Sequence, residues 1–231
     1  MRHLLLATVL LGSVAHAQTA ADSALVDQAL DALGYGFESD SSLATAFAPS
    51  VRQSFLETLD TALLAQAISV LEGEAYARTQ EVSDAWRQQN LGSAVLEGPQ
   101  ADSARVAGYV VAMLDATQPD GVYLEVVDEA RRSLPDSALA ALDEFEMWDE
   151  LTGGGALPFT QRLYRESIRA SRYQLADLDP SDLEAMTAYY RSDAGRYVGR
   201  RVAVGLYRAT VLPMIEMAIQ LSRMSEALED G

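Results

Sequence analysis

The chain has 231 residues, with 34 acidic and 17 basic side chains and a formal net charge of −17 at pH 7. Every basic side chain in that count is an arginine, there is no cysteine, and the only histidines are His3 and His16. This charge argues strongly against binding to nucleic acid, whose affinity depends on neutralised phosphates. The lack of cysteine excludes disulfides, so stability must come from packing.

The acidic excess without lysine has two explanations. It suits a protein bathed in concentrated salt, which screens the repulsion between like charges. It is also expected from a GC-rich genome, whose codons exchange lysine for arginine. Both explanations fit the composition, in which hydrophobic residues still make up 49% of the chain. That apolar fraction is typical of a globular protein with a real core.

Residues 1–17 have the layout of a secretory signal peptide. Arg2 and His3 precede a short apolar run, and Ala15-His16-Ala17 forms a cleavage site that leaves Gln18 as the new N-terminus. The apolar run is too short to span a bilayer, which takes about 20 residues. We therefore predict an exported protein, periplasmic or extracellular, that is soluble after cleavage and has no membrane span. Its mature chain contains no lysine, histidine or cysteine.

Apolar residues recur at helical spacing along nearly all of the mature chain. The first helix carries Leu25 and Leu33 and is expected to end at Gly34. A long second helix is expected to open after Pro49-Ser50, because one apolar stripe continues without interruption. The stripe consists of Phe55, Leu59, Leu63, Leu64, Ile68 and Leu71.

The middle of the chain predicts shorter helices separated by glycine and proline. One helix surrounds Ala85 and Trp86, and the next is expected to end at Pro119-Asp120-Gly121. A later helix is expected to be broken at Gly153-Gly154-Gly155. The apolar positions that mark these helices are Val106, Tyr109, Val110, Met113, Leu114, Leu124, Val127, Leu134, Leu139, Leu142 and Phe145.

Three helices are predicted towards the C-terminus. The first runs through Ile168 and Leu175, and the second begins at Asp179-Pro180, an N-cap followed by proline at the first helical position. The last runs from about Gly195 to Leu228, with a kink expected at Pro213.

These elements predict an all-α fold, a single domain over residues 18–231 built as a multi-helix bundle of roughly seven to nine helices. A weak internal similarity accompanies the pattern, since residues 134–145 align with residues 178–189 at a constant offset. The bundle is therefore compatible with a degenerate internal helical repeat.

Residues 178–198 read LDPSDLEAMTAYYRSDAGRYV, a capped helix start, an aromatic pair, a serine, a glycine and a basic residue. This pattern resembles the C-terminal signature of the bacterial domain family numbered 2059 among domains of unknown function. The resemblance covers about residues 177–219 and implies a small, exported helical protein without a known activity. Asp193 stands where that family often has proline. The signature residues are Tyr189, Tyr190, Arg191, Ser192 and Gly195.

Most side-chain catalysis at neutral pH uses groups that the mature chain lacks. Serine triads and cysteine dyads need histidine, Schiff bases need lysine, and zinc sites use histidine or cysteine. A calcium-binding EF-hand loop is excluded as well. With Gly121 at loop position six, the ligand positions one and twelve are Ala116 and Val127, whose side chains cannot bind calcium. We therefore predict no catalytic residues, no metal site and no cofactor.

Paired carboxylates remain as an alternative. Glu146 and Glu150 share a helix face beside Trp148, in the densest group of acids in the chain. Glycoside cleavage runs on two carboxylates, so the alternative function is a carboxylate-based hydrolase of an envelope polysaccharide. The competing interpretation is a solvated acidic face.

The arginines divide the chain electrically. Residues 162–208 hold nine arginines against six acids, whereas residues 18–161 hold six arginines against 24 acids. Guanidinium groups grip carboxylate and phosphate bidentately, so these arginines are candidates for an anion-binding or partner-binding face. The alternative is internal pairing with the acidic helices. The candidate residues are Arg162, Arg165, Arg169, Arg172, Arg196 and Arg200.

The sequence therefore predicts a non-enzymatic binding or interaction protein of the cell envelope, whose partner is an unknown protein or envelope component. The tyrosines of the same region, among them Tyr197 and Tyr207, are expected to lie in the core with their hydroxyls at its rim.

Overall fold

The computed structural model describes residues 20–35, 42–90, 98–134, 139 and 168–229. Every regular element in these ranges is an α-helix, which confirms the predicted all-α bundle of roughly seven to nine helices. Most of the segment that suggested an internal repeat, residues 134–145, lies outside these ranges. In chain order the helices are α1 (residues 20–32), α2 (Ser42–Glu57), α3 (Thr61–Leu71), α4 (Glu74–Asn90), α5 (Ser103–Thr117), α6 (Pro119–Ser133), α7 (residues 168–174), α8 (Pro180–Arg191) and α9 (Asp193–Glu229).

The first and eighth helices have the boundaries that their capping residues predict. Gly34 follows α1 and adopts a φ of +79°, a left-handed conformation that glycine adopts without a steric cost. Asp179 caps α8 by accepting a hydrogen bond from the backbone N–H of Ser181 at 2.8 Å, and Pro180 occupies the first helical position. These local signals act within one turn, so the sequence is sufficient to locate them.

The prediction of one long helix after Pro49-Ser50 was wrong. Pro49 lies inside α2, and the chain leaves the helix after Glu57 and starts again at Thr61. Asp60 sets this restart, because its carboxylate accepts hydrogen bonds from the backbone N–H groups of Ala62 and Leu63 at 3.1 and 3.0 Å. The apolar residues of the stripe lie on the buried face of both helices, so the stripe continues across the break.

The preceding helix ends directly before Pro119-Asp120-Gly121, as predicted, and the same segment also starts the next helix. A single residue, Gln118, separates α5 from α6 and adopts a φ of +44°. Its N–H donates to the carbonyl of Leu114 at 2.8 Å, and its own carbonyl accepts from the N–H of Val122 at 3.0 Å. The ring of Pro119 suits the first helical position, where the missing N–H has no helical partner.

Helix α9 packs against α2, α3, α5, α6 and α8, so it forms the centre of the described bundle. Its glycines allow this close packing. A Cβ added at Gly205 would overlap the backbone of Val51, and one at Gly199 would lie 3.1 Å from the backbone of Ala116. Val51 and Ala116 are themselves buried, so the axes of α2 and α5 come close to that of α9.

Helix α8 packs against α4 and α5 and turns into α9 at a tight joint. The hydroxyl of Ser192 donates to the carbonyl of Tyr189 at 2.6 Å and accepts from the N–H of Gly195 at 3.0 Å. A Cβ at Gly195 would overlap the backbone of Tyr189. The last helix was predicted to begin at about Gly195, and it begins two residues earlier, at Asp193.

Among the residues that the structure describes, no helix combines the length and the apolar character needed to cross a bilayer.

The close approach of α9 to α2 can be tested at Gly205. We expect Gly205→Ala to lower the free energy of unfolding by about 1–3 kcal/mol, because the added methyl group forces two buried backbones apart. Gly121→Ala is the matched control, since nothing lies within 4 Å of its added Cβ. The control should be stabilised by about 0.5–1 kcal/mol through helix propensity. Urea denaturation followed by circular dichroism measures both, and an equal change in the two variants would contradict this packing.

Candidate functional site

The six arginines proposed as a binding face fall into different settings. Arg162 and Arg165 lie outside the described residues. Arg169 and Arg172 lie on α7, and Arg196 and Arg200 on α9. Arg200 already has partners inside the bundle: it donates to Gln118 at 3.0 Å and to Glu125 of α6 at 2.5 Å.

Two further arginines also join helices through acids. Arg208 of α9 contacts Glu57 of α2 at 2.6 Å and Glu129 of α6 at 2.9 Å. Arg52 of α2 pairs with Asp27 of α1 at 2.7 Å. Internal pairing, the alternative interpretation of the arginine-rich region, therefore holds for Arg200 and Arg208.

Other arginines have no such acid. In the described part of the chain, the side chains of Arg169, Arg191 and Arg196 are exposed and make no ion pair or hydrogen bond. Arg172 is half-buried, and its Nε has no hydrogen-bond partner. Within the described ranges, no acid pairs with these guanidinium groups.

Arg191 lies beside a shallow groove of about 560 Å³ between α5 and α8. A Cβ added at Gly108 would lie 4.0 Å from Nη2 of Arg191, so the guanidinium group extends over a glycine on α5. Arg105 forms the other basic wall and approaches Glu184 at 3.7 Å, which is a loose ion pair. The full lining is Arg105, Gly108, Leu183, Glu184, Thr187, Ala188, Arg191 and Ser192.

The remaining signature residues are structural. Tyr189 is buried, and its hydroxyl has no hydrogen-bond partner within the described part of the chain. The rings of Tyr109 and Tyr190 meet edge to face with their centroids 5.6 Å apart. Burial raises the pKa of both Tyr189 and Tyr190 above the ordinary value of tyrosine. These hydroxyls therefore stay protonated in the core.

Tyr197 matches the expectation of a hydroxyl at the rim of the core. It donates to the carbonyl of Thr58 at 3.2 Å and accepts from the N–H of Asp60 at 3.1 Å. It thus fastens α9 to the break between α2 and α3.

A second concave region, which the sequence reasoning did not identify, lies between α4 and the corner that joins α7 to α8. It is a cleft of about 500 Å³. Its α4 wall could have been found from the sequence, because its residues recur at helical spacing along one face. The α4 residues of the lining are Arg78, Glu81, Val82, Ala85 and Trp86, and those of the corner are Tyr173, Gln174, Asp177, Leu178, Asp179, Ser181 and Asp182.

A bidentate ion pair forms the base of this cleft. Nε and Nη2 of Arg78 donate to the two carboxylate oxygens of Asp182, each at 2.6 Å, and Nη1 donates to Glu74 at 3.2 Å. The side chain of Asp182 is only 5% exposed and that of Arg78 is 49% exposed, so the pair ties α4 to α8 with its carboxylate buried. The hydrogen bonds from Arg78 lower the pKa of Asp182, and the bonds to Ser181 lower the pKa of Asp179.

Both carboxyl groups are therefore charged at neutral pH, which does not suit a general acid. The carboxylates on which the hydrolase alternative was based, Glu146 and Glu150, lie outside the described residues together with Trp148.

Comparison of the chain with protein-family models, curated proteins and solved structures finds no match. The resemblance of residues 177–219 to the family numbered 2059 stays a prediction.

The ion pair at the base of the cleft makes stability depend on pH. Because the folded protein lowers the pKa of Asp182 below its ordinary 3.8, the ion pair stabilises the fold above that pH. This contribution is lost as the pH falls through the lower, folded pKa. We expect Asp182→Asn to destabilise the protein at pH 7, and its difference from the wild type to shrink below about pH 4.

The measurement is urea denaturation at several pH values, with Asp115→Asn as a control for an exposed acid that makes no described side-chain contact. If Asp182→Asn and Asp115→Asn have the same small effect at pH 7, the ion pair does not hold α4 to α8.

Proposed function

We propose that this chain is an exported, non-enzymatic helical protein that binds an acidic partner of the cell envelope through its arginine surface. We define the arginine surface as Arg105 and Arg191, which flank the groove between α5 and α8, and Arg196 at the start of α9. Arg191 ends α8 and Arg196 lies in the first turn of α9, on the two sides of Ser192, which lines the groove.

One observation carries the proposal: Arg191 and Arg196 stay exposed without an acid among the described residues, although acids outnumber arginines two to one. Along α9, Arg200 and Arg208 are bound to glutamates of neighbouring helices. A guanidinium group presents donors in a rigid fork that matches carboxylate or phosphate. The exposed guanidinium groups of Arg191 and Arg196 therefore favour an anionic partner.

The charge of Arg105 is also accessible to a partner. Its distance of 3.7 Å from Glu184 exceeds the usual length of a charge-assisted hydrogen bond. Exposed pairs of this kind contribute about 0–1 kcal/mol, so a better-placed carboxylate displaces Glu184 at little cost.

In the cleft, the two acids whose pKa is shifted do not suit the alternative function, a carboxylate-based hydrolase of an envelope polysaccharide. Such an enzyme needs one carboxyl group that remains protonated long enough to act as an acid. In the cleft, Asp179 and Asp182 have lowered pKa values instead.

The test is a pulldown from a periplasmic or extracellular extract with the mature chain immobilised. We expect Arg191→Gln/Arg196→Gln to retain at least about tenfold less of one specific partner, because charge-assisted hydrogen bonds contribute about 1.5–3 kcal/mol each. Retention by the wild type should fall in 1 M salt, where the Debye length is about 3 Å.

The matched control is Arg131→Gln/Arg132→Gln, which removes the same charge from the last turn of α6. Equal retention by both double variants contradicts the arginine surface. Failure of the wild type to retain any partner contradicts the proposal of a binding protein.

Export has its own test. When the full coding sequence is expressed in a bacterial host, we expect the protein in the periplasmic or culture fraction, beginning at Gln18. Intact-mass measurement of the purified protein detects this cleavage. An Ala17→Arg variant, which spoils the small-residue cleavage site, should keep residues 1–17. An uncleaved cytoplasmic wild type would contradict export without affecting the arginine surface.

A further inference from the structure

We propose that the cleft between α4 and the α7–α8 corner binds a small organic cation of the quaternary-ammonium class. This site is separate from the arginine surface and takes a ligand of the opposite charge. Its volume of about 500 Å³ lies within the range of small-molecule sites, about 300–1,000 Å³.

The walls of the cleft supply aromatic and apolar contacts for the body of such a ligand. Trp86 lines it from α4 and Tyr173 from α7, with Val82, Ala85 and Leu178 beside them. The electron-rich faces of tryptophan and tyrosine attract a cation, and tryptophan attracts it most strongly.

The Tyr173 wall is held in place by its neighbours. Its hydroxyl accepts a hydrogen bond from Nε2 of Gln100 at 2.7 Å. One residue away, the carbonyl of Arg172 accepts a bond from the N–H of Ala101 at 2.8 Å. Two bonds therefore fix the start of the segment before α5 against α7, and the aromatic wall is pre-organised before a ligand arrives.

The charge of the cleft is also suited to a cation. It contains four carboxylates and one guanidinium group. That guanidinium group, on Arg78, is already bound bidentately to Asp182, and the carboxylate of Asp179 caps α8. Glu81 and Asp177 are exposed and make no ion pair or hydrogen bond through their side chains to the described residues. They are the two charges available to a ligand.

The aromatic walls and the separation of these acids favour an organic cation over a metal ion. Calcium needs six to eight converging oxygen ligands. Across the described residues, no three acids come close enough together to hold a metal ion. A quaternary ammonium group instead requires aromatic faces and diffuse negative charge, and it donates no hydrogen bond that the cleft would have to accept.

Choline is the probe, and its neutral isostere 3,3-dimethylbutan-1-ol is the ligand control. Titration of the full chain carrying Trp148→Phe, in which Trp86 is the remaining tryptophan, reports binding as a change in fluorescence. We expect saturable binding of choline with a dissociation constant on the order of 1 mM, and binding of the isostere about tenfold weaker, because it lacks the charge.

Two variants locate the site. Glu81→Gln/Asp177→Asn should weaken choline binding about fivefold, whereas Asp31→Asn/Asp115→Asn, which removes two exposed acids elsewhere, should leave it unchanged. Trp86→Leu should abolish the saturation-transfer signal of choline in ligand-observed NMR. Because loss of Trp86 also removes packing, Trp86→Phe is measured with it and should retain part of the binding.

Three results overturn the proposal. The first is equal affinity for choline and the neutral isostere, which would show an apolar site without cation recognition. The second is an equal effect of the two double acid variants. The third is a lack of saturation by choline on the order of 10 mM. None of these results bears on the arginine surface, whose pulldown uses other residues.

Discussion

The bundle depends on the close approach of α9 to two other helices. At Gly205 and Gly199 the backbone of α9 comes within contact distance of Val51 and Ala116. This approach also allows the hydroxyl of Ser54 to donate to the carbonyl of Arg201 at 2.6 Å, so that a polar group is satisfied inside the core. It fixes where the arginines of α9 lie, and therefore which of them reach acids on α2 and α6.

The acidic composition is organised by a few cationic cross-links between helices. Arg52, Arg78, Arg200 and Arg208 each neutralise acids on a neighbouring helix. The ion pair of Arg78 differs from the other three, because its acid, Asp182, is buried. The acids paired with Arg52, Arg200 and Arg208 are at least partly exposed. Losing one member of a buried pair costs more than losing an exposed pair. Removal of Arg78 would leave the buried carboxylate of Asp182 without this partner.

The sequence was sufficient for the fold class and for helix ends set by local chemistry, such as Gly34 and Asp179-Pro180. The sequence predicted the wrong helix boundary where two local signals favoured different structures. The continuous stripe around Asp60 favoured one helix, but a carboxylate that caps two N–H groups outweighed it. The end of α5 before Pro119 was predicted, whereas the immediate start of α6 at Pro119 was not, although proline suits the first position of a helix.

The candidate sites depended on partners that no local pattern contains. Arg196 and Arg200 lie one turn apart on α9, yet only Arg200 has Glu125 within reach. The α4 face of the cleft follows helical spacing, whereas Tyr173 and Asp177 arrive from a distant part of the chain. The side-chain chemistry of the sequence reduced the number of possible functions. Only the packed structure shows which arginines contact an acid and which face solvent.

The single-residue connection at Gln118 gives α5 and α6 a shared mechanical behaviour. Pro119 fixes its own φ near −65°, so the angle between the two helices changes mainly through the torsions of Gln118. A connection of one residue allows little relative movement, and the side chain of Gln118 also accepts a hydrogen bond from Arg200 of α9. A partner that displaced α5 at the groove would therefore displace α6 as well. Both helices also pack against α9, which therefore contacts the two elements on either side of the connection.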